Sequence, residues 1–375
     1  MTGRLNDGIL QRTYEENIEN EEFQAILDDF NALRAELADS ATNKLTYLPD
    51  IDYEDKLSEA EKLDRQQWRD ILKEYVENGD TWLSAPWMVT EFYVYRKLMD
   101  AIGYFDPSSK GYRYDPFDSE KRKGLHSSVA SAEGVMSKIT DLPATKEGAA
   151  IAISFALWGN KMDLSIWPSS TAEDLKEAFN KIIESASDNL LHDDTSKLTD
   201  HCEKLRLSGG GNVDIIVDNA GFELVVDLAL ADYLISSGIA SCVTFQLKAN
   251  PVFVSDALEK DLRNTVCYYE NLDSQSYPNC QSAGKRWQKY LDDGKWLCNE
   301  NFFWVQGLAM WDMHQDLFDD MKERCDLSFV KGDANYRRLL GDRHWDFSAP
   351  FEQVVGAYFP CPVCALRTLK AEVSG

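Results

Sequence analysis

The sequence contains few basic residues and no long apolar run, and both absences exclude classes of function. Lys and Arg total 39 against 64 Asp and Glu, which gives a net charge of −25 and disfavours nucleic acid and anionic membrane surfaces as partners. No stretch of about 18 uncharged apolar residues is present, so no transmembrane helix is predicted. The first residues lack the apolar centre of a secretion signal, and we therefore expect a soluble, intracellular, cytoplasmic protein.

Cysteine and histidine are also too few and too scattered to define a metal or disulfide site. There are 8 cysteines and 5 histidines, and Cys361 and Cys364 alone have the spacing of a redox or zinc motif. A zinc site of that type needs a second pair, and disulfide frameworks belong to small secreted domains. Reduced thiols that pack in the interior are the favoured interpretation.

Length and apolar content indicate two domains. The chain has 375 residues, 44% of them hydrophobic, and so exceeds a typical single core of roughly 100 to 200 residues. Residues 21–37 and 59–76 have helix-forming composition with apolar residues three and four apart. We predict a helical amino-terminal domain or cap at residues 1–145 and an α/β domain at residues 146–375. Its sheet is expected to be doubly wound and largely parallel, with flanking helices.

Three short apolar runs have the composition of strands buried on both faces. They lie at residues 213–217, 242–248 and 327–330, and each is followed by polar residues and then by a helical pattern. In parallel sheets the carboxyl ends of the strands share one edge, where ligands collect. The side chains that follow these three runs are therefore expected to meet at one crevice.

Side chains with oxygen atoms follow the first two of these strands. Asp218 and Asn219 come directly after the first, and Asp256 follows the second, where a helix is predicted to begin near Ser255. Carboxylate and amide oxygens suit a hard cation such as Mg²⁺ or Mn²⁺, which keeps positions for water and phosphate. Asp256 could instead stabilise a helix amino terminus. Their joint occurrence favours a metal site, with an activated water as the nucleophile.

Cationic side chains are the expected phosphate ligands. Lys331, Arg337 and Lys370 follow the third strand or lie further along the chain, and they can neutralise a transferred phosphoryl group. Glu223 and Asp227 lie one turn apart on the helix after the first strand. Glu223 is predicted to face the crevice, and Asp227 is predicted to meet solvent or a neighbouring helix.

Two features leave alternatives open. Asn160 and Asp163 are three residues apart, and they either face one ligand or cap the next element. A covalent aspartyl-phosphate mechanism requires a second acid two positions after Asp218, but Ala220 occupies that position. Direct attack by water is therefore preferred to a phospho-enzyme.

Four motifs occur in order along the chain. They are Asp218-Asn219-Ala220-Gly221-Phe222-Glu223, the segment 248–256, the segment 331–337, and Arg367-Thr368-Leu369-Lys370. Together they resemble the damage-control phosphatase family, and in particular its branch also called acidic-residue or protein-glutamate methyltransferases. Segments 85–96 and 157–165 resemble this branch too, so the resemblance extends from about residue 80 to residue 370.

The resemblance implies a metal-dependent phosphatase of small phosphorylated metabolites, with fructose 1-phosphate and related hexose or pentose phosphates as substrates. It implies ligation of Mn²⁺, Mg²⁺, Co²⁺ or Ni²⁺ by Asp218, Asn219 and Asp256. It places Asp333, Ala334, Asn335, Tyr336, Arg337 and Lys370 at substrate positions, and Glu223 at a methyl-donor position under the methyltransferase alternative. Further candidate substrate residues are Lys331, Arg367, Asn160 and Asp163.

Two other functions stay open. The first is methylation of glutamate side chains in a partner protein with S-adenosylmethionine. Donor-binding folds usually present a glycine-rich turn after the first strand, whereas the glycines at residues 209–211 precede it. The second is a non-catalytic module that binds a partner through its acidic surface.

Overall fold

The computed structural model describes residues 14–15, 19, 24, 27–159, 190–346 and 348–368. The chain forms two compact units. The first comprises Met1–Glu120, Lys248–Asp256 and Asn301–Asp312, and the second comprises Lys121–Leu247, Ala257–Glu300 and Met313–Gly375. The division into residues 1–145 and 146–375 stays a prediction.

The described residues form helices and strands that alternate in the second half of the chain. The helices are α1 (Leu27–Ala38), α2 (Glu59–Asn78), α3 (Trp87–Ala101), α4 (Asp118–Ser127), α5 (Val129–Ile139), α6 (Lys146–Trp158), α7 (Thr195–Leu207), α8 (Phe222–Ser236), α9 (Glu259–Glu270), α10 (Pro278–Asp292), α11 (Gln315–Arg324), α12 (Asp333–Leu339) and α13 (Phe351–Val354). The strands are β1 (Gly211–Ile216), β2 (Ala240–Lys248), β3 (Trp296–Asn301), β4 (Leu327–Lys331) and β5 (Val363–Leu366). Short 3-10 helices cover Glu54–Lys56, Phe302–Val305 and Met310–Asp312.

The first unit contains helices α1 to α3 and an aromatic core. Helix α2 begins with a capping box, in which the Ser58 N–H donates to Glu61 Oε2 at 2.7 Å and the Glu61 N–H donates to Ser58 Oγ at 3.3 Å. Trp68, Phe92 and Tyr93 are buried in the core of this unit. Such rings dominate buried area, and the aromatic side chains of α3 therefore stabilise the helical unit by packing.

A buried polar cluster fixes a later segment of the chain to these helices. Arg96 Nε donates to Asp64 Oδ2 at 2.8 Å, and Gln306 Nε2 donates to Asp64 Oδ1 at 2.9 Å. All three side chains are buried. A buried carboxylate is tolerated when such donors replace its water, so Asn301–Asp312 is bound to the first unit by polar as well as apolar contacts.

The second unit contains a five-stranded sheet in the order β3-β2-β1-β4-β5. Strand β1 pairs in parallel with β2 on one side and β4 on the other, and β4 pairs in parallel with β5. The chain therefore runs outward from β1 to β3 and then returns to the other side of β1. This reversal is the switch point of a doubly wound sheet, and the predicted α/β class is confirmed.

Helix α8, which connects β1 to β2, is buried along most of its length. Every residue from Phe222 to Leu234 is buried, because the helix packs among α5, α6 and α10 as well as the sheet. The burial includes the carboxylates of Glu223, Asp227 and Asp232. Of the two predicted environments of Asp227, solvent is wrong, because its carboxylate is fully buried and contacts Lys331 of β4.

Two predicted helix starts also require correction. The helix after β2 begins at Glu259 rather than near Ser255, because the backbone is still extended at Leu258, with φ −103° and ψ 169°. After β4 the sequence pattern predicts a polar turn over residues 331–337 and a short helix from Arg338 to Leu340, but the helix begins at Asp333. Gly332, with φ +87°, makes the sharp turn that lets a helix follow the strand directly.

The remaining sequence expectations concern thiols and the membrane. All eight cysteines are free, and burial raises the pKa of Cys364 to about 12, so the spacing of Cys361 and Cys364 does not produce a reactive pair. In the described part of the chain, no helix is both long and apolar enough to cross a membrane.

Candidate metal centre and phosphate site

The carboxyl ends of β1 and β4 lie side by side at the switch point of the sheet. Ile216 of β1 is opposite Val330 of β4, so the residues after each strand emerge at the same edge. Asp218 follows β1 and Gly332 follows β4. A Cβ atom on Gly332 would lie 2.1 Å from Asp218 Oδ2, which means that the Asp218 carboxylate packs directly on the glycine backbone.

Asp218, Asn219 and Glu223 form one hydrogen-bonded network. Asn219 Nδ2 donates to Asp218 Oδ2 at 2.7 Å and to Glu223 Oε2 at 2.9 Å. Both carboxylates are buried. Because the amide nitrogen donates to the two acids, the carbonyl oxygen is the atom of Asn219 that can bind a cation.

Charged side chains are buried beside this network. Asp218, Glu223 and Asp227 are buried carboxylates, and Lys331 is a buried ammonium 2.9 Å from Asp227. Burial raises the pKa of Asp227 from 3.8 to about 7, although Lys331 opposes the rise and Glu223 adds to it. The carboxylate and amide oxygens of Asp218 and Asn219 are hard donors, which fit a divalent cation such as Mg²⁺ or Mn²⁺.

Asp256, the third predicted metal ligand, belongs to the first unit. Within that unit its Oδ2 lies 3.3 Å from Lys248 Nζ, and both side chains are buried. Ala257, the next residue in the chain, belongs to the second unit and donates its backbone N–H to the Asp218 carbonyl at 2.9 Å.

The segments that follow strands β4 and β5 contain predicted substrate residues. Arg367 Nε donates to Asp333 Oδ1 at 2.7 Å, and the Arg367 guanidinium lies 4.4 Å from the centre of the Tyr336 ring. Asn335 Nδ2 donates to the Lys331 carbonyl at 2.9 Å and so closes the turn. The first residues of α12 therefore contact Arg367, which directly follows β5.

Arg337 is held by a different carboxylate. Its Nε and Nη2 atoms donate to Asp342 Oδ1 and Oδ2 at 2.7 and 2.8 Å, in a bidentate pair. Asp342 adopts a φ of +53°, and the pair spans the end of α12. Each of the described cations among the predicted substrate residues therefore has a carboxylate partner.

A sequence model of the damage-control phosphatase ARMT1-like domain matches residues 7–374. The chain belongs to this family. It is 33% identical to damage-control phosphatase ARMT1 of Danio rerio over 334 residues, which cover 83% of this chain and 72% of that protein. The protein of the same name from Homo sapiens is 33% identical over 322 residues, covering 82% and 71% of the two chains. That from Xenopus laevis is 33% identical over 385 residues, covering 96% and 82%.

The ARMT1-like chain also has a counterpart among solved structures. A DUF89 family protein from Pyrococcus horikoshii aligns with a TM-score of 0.45 and 17% sequence identity, covering 91% of this chain and 97% of that one. This similarity is too low to support a statement about the site.

Some predicted site residues of this ARMT1-like protein lie outside the described residues, namely Asn160, Asp163 and Lys370. Ala334 is described and half-buried in the first turn of α12. The structure brings together Asp218, Asn219 and Glu223 in one network, and Asp333, Tyr336 and Arg367 in another.

Sequence reasoning did not identify two residues of this site, Asp227 and Gly332. Asp227 lies within an apolar helical sequence, and a carboxylate there indicates a buried charge that needs a cationic partner. Gly332 directly follows an apolar strand and precedes a helix, which is typical of a position where another group approaches the backbone. Both signals were present in the sequence, but their partners lie far away along the chain.

Proposed function

We propose that this protein is a metal-dependent phosphatase that hydrolyses small phosphorylated metabolites. The proposed substrates are sugar phosphates, namely fructose 1-phosphate and related hexose or pentose phosphates. Membership of the ARMT1-like family, whose compared relatives are named phosphatases, supports the reaction class. The observation that carries the metal requirement is the network of buried carboxylates and an amide at the switch point of the sheet.

Asp218, Asn219 and Asp256 are the proposed metal ligands. Asp218 and Asn219 offer hard oxygen atoms at the edge where ligands of doubly wound sheets bind. Mn²⁺, Mg²⁺, Co²⁺ and Ni²⁺ are all compatible with such donors. When bound, the cation would neutralise charge on the phosphoryl oxygens and activate water.

The protein's own residues would bind and orient the phosphate ester. Arg367 is fixed by Asp333 and by the Tyr336 ring, and its planar guanidinium carries five donors, so it can hold a phosphate in a defined orientation. Arg337 is similarly fixed by Asp342. We assign contacts with the rest of the ester to the first residues of α12, namely Asp333, Ala334, Asn335 and Tyr336. Asn160, Asp163 and Lys370 remain proposed substrate residues.

Direct attack by water is preferred to a phospho-enzyme on Asp218. The Asp218 carboxylate accepts a hydrogen bond from Asn219 and packs against Gly332, which restricts its approach to a phosphorus atom. Ala220 provides no general acid at the position where aspartyl-phosphate enzymes need one. Trapping of a radiolabelled acyl-phosphate on Asp218 during turnover would contradict this mechanism.

A panel of sugar phosphates with each of the four cations tests the proposal. Phosphate release should require the cation, stop on adding chelator, and fall by at least about a thousandfold in Asp218→Asn and Asp256→Asn. Asp214→Asn is the matched control, because this carboxylate is buried in β1 but pairs with Arg324. The control variant should retain turnover at a temperature where it is folded.

Two outcomes would contradict the proposal. The first is the absence of metal-dependent phosphate release across the whole panel. The second is transfer of tritium from labelled S-adenosylmethionine to a protein substrate that is lost in Glu223→Gln, which would favour the methyltransferase alternative.

A further inference from the structure

Asp227 and Lys331 form a buried ion pair beside the candidate metal centre. Lys331 Nζ lies 2.9 Å from Asp227 Oδ1, and the side chains are 2% and 0% exposed. The ammonium also donates to the carbonyl of Ala156 in the last turn of α6. Among the described residues, neither Asp227 oxygen accepts a hydrogen bond of normal geometry. The pair is therefore held chiefly by charge.

The Lys331 ammonium lies in the field of several carboxylates. Burial lowers the pKa of Lys331, but the charges of Asp227, Glu223 and Asp218 outweigh this effect and raise the pKa above its ordinary value. A cation at Asp218 would be repelled by the ammonium, since like charges in a buried site interact strongly. Asp227 offsets this repulsion, because its carboxylate lies 2.9 Å from the ammonium.

Lys331 also connects Asp227 to the geometry of the centre. It directly precedes Gly332, on which the Asp218 carboxylate packs. Its carbonyl accepts the hydrogen bond from Asn335 Nδ2 at 2.9 Å. The ion pair of Asp227 and Lys331 therefore lies directly beside the residues that contact Asp218.

We propose that Asp227 is a positioning residue for the metal centre, which holds the Lys331 ammonium against α6 and offsets its charge so that a divalent cation can bind at Asp218. This inference rests on the proposed function, because the cation is the one expected there. It assigns Lys331 to the charge balance of the centre rather than to direct contact with the substrate phosphate.

Calorimetric titration of the intact chain with Mn²⁺, at about pH 8 and without substrate, tests the inference. Asp227→Asn should weaken Mn²⁺ binding on the order of tenfold, because Lys331 then loses the carboxylate with which it forms its ion pair. Lys331→Met should bind Mn²⁺ as tightly as the wild type or more tightly. The double variant Asp227→Asn/Lys331→Met should return the affinity to within about threefold of the wild type, as expected for coupled residues.

Asp232→Asn is the matched control for a loss of stability. Asp232 is a buried carboxylate of the same helix, and it pairs with Arg286 at 2.7 Å rather than with the centre. This variant should unfold more easily but bind Mn²⁺ as the wild type does. If Asp227→Asn does not fold, the Mn²⁺ affinity of Lys331→Met tests the inference. A tenfold loss of affinity in that variant would overturn the inference, and an equal or higher affinity would support it.

The outcomes separate this inference from the proposed function. Equal Mn²⁺ affinity in the wild type and in folded Asp227→Asn would overturn the positioning role and leave the phosphatase proposal standing. The expected pattern of affinities without hydrolysis of any phosphate ester would support the positioning role and contradict the proposed function. A wild-type chain that binds no Mn²⁺ would overturn both.

Discussion

Gly332 and Asp218 are in such close contact that no side chain larger than hydrogen fits between them. A Cβ on Gly332 would lie 2.1 Å from Asp218 Oδ2, and the backbone there has a φ of +87°. The residues that follow two different strands are therefore in direct contact at the switch point. The glycine is required by the packing of the carboxylate as well as by the turn.

Gly332→Ala should destabilise the protein and also weaken metal binding and turnover. The backbone strain is expected to cost about 1–3 kcal/mol, and the displaced carboxylate should reduce Mn²⁺ affinity at least about tenfold. Calorimetry and chemical denaturation measure the two effects separately. Gly209→Ala is the control, because Gly209 has a φ of +99° but a Cβ there meets no atom within 4 Å. It should lose stability alone, and an equal loss of affinity in both variants would contradict the prediction.

Mn²⁺ should raise the melting temperature of the wild-type chain. A ligand at about one hundred times its Kd stabilises the native state by about 2.7 kcal/mol, which corresponds to several degrees in a chain of this size. Asp218→Asn should abolish the increase, because it removes a charged ligand. Asp214→Asn, buried in the same strand and paired with Arg324, should melt at a lower temperature but retain the increase. No change in the wild type at millimolar Mn²⁺ would count against the centre.

The buried Asp227 carboxyl should make stability depend on pH. Its pKa is about 7 in the folded chain against an ordinary value of 3.8, because burial disfavours the charged form. The native state therefore binds a proton more tightly than the unfolded state. This contribution to stability is present below the ordinary value and is lost as the pH rises towards the folded value.

Comparison with Asp227→Asn isolates this effect. The free energy of unfolding of the wild type, relative to the variant, should fall between about pH 4 and about pH 7 by at most about 1.4 kcal/mol per pH unit. Above that window the difference should become constant. Urea unfolding in the presence of chelator measures both proteins over this range. Parallel profiles for the two would show that Asp227 does not titrate there.

Arg367→Lys should impair substrate binding more than chemistry. The guanidinium contacts Asp333 and lies over the Tyr336 ring, and an ammonium cannot keep both contacts while presenting a planar set of donors to phosphate. KM for a sugar phosphate should rise about tenfold or more, with a smaller change in kcat. Arg286→Lys, in an ion pair with Asp232, is the control and should leave KM unchanged. A fall in kcat at constant KM would contradict the binding role.

Much of the fold follows from local sequence patterns. The runs 213–217, 242–248 and 327–330 predicted three strands that form β1, β2 and β4 within one or two residues at most ends. Apolar runs of that length are buried on both faces in parallel sheets, so composition determines their structure. The starts of α9 and α12 were not predictable in this way, since the extended backbone of Leu258 and the positive φ of Gly332 are set by the surrounding structure.

The sequence by itself determined the net charge, the strands and the order of acidic and amide residues after them, because these depend on residue type and on periodicity along the chain. The tertiary structure alone decided that β4 returns beside β1, and with it the contacts of Asp218 with Gly332, of Asp227 with Lys331 and of Asp333 with Arg367. Such pairs join residues far apart in sequence. Their contacts arise from strand pairing and burial, and no local pattern encodes which strands become neighbours.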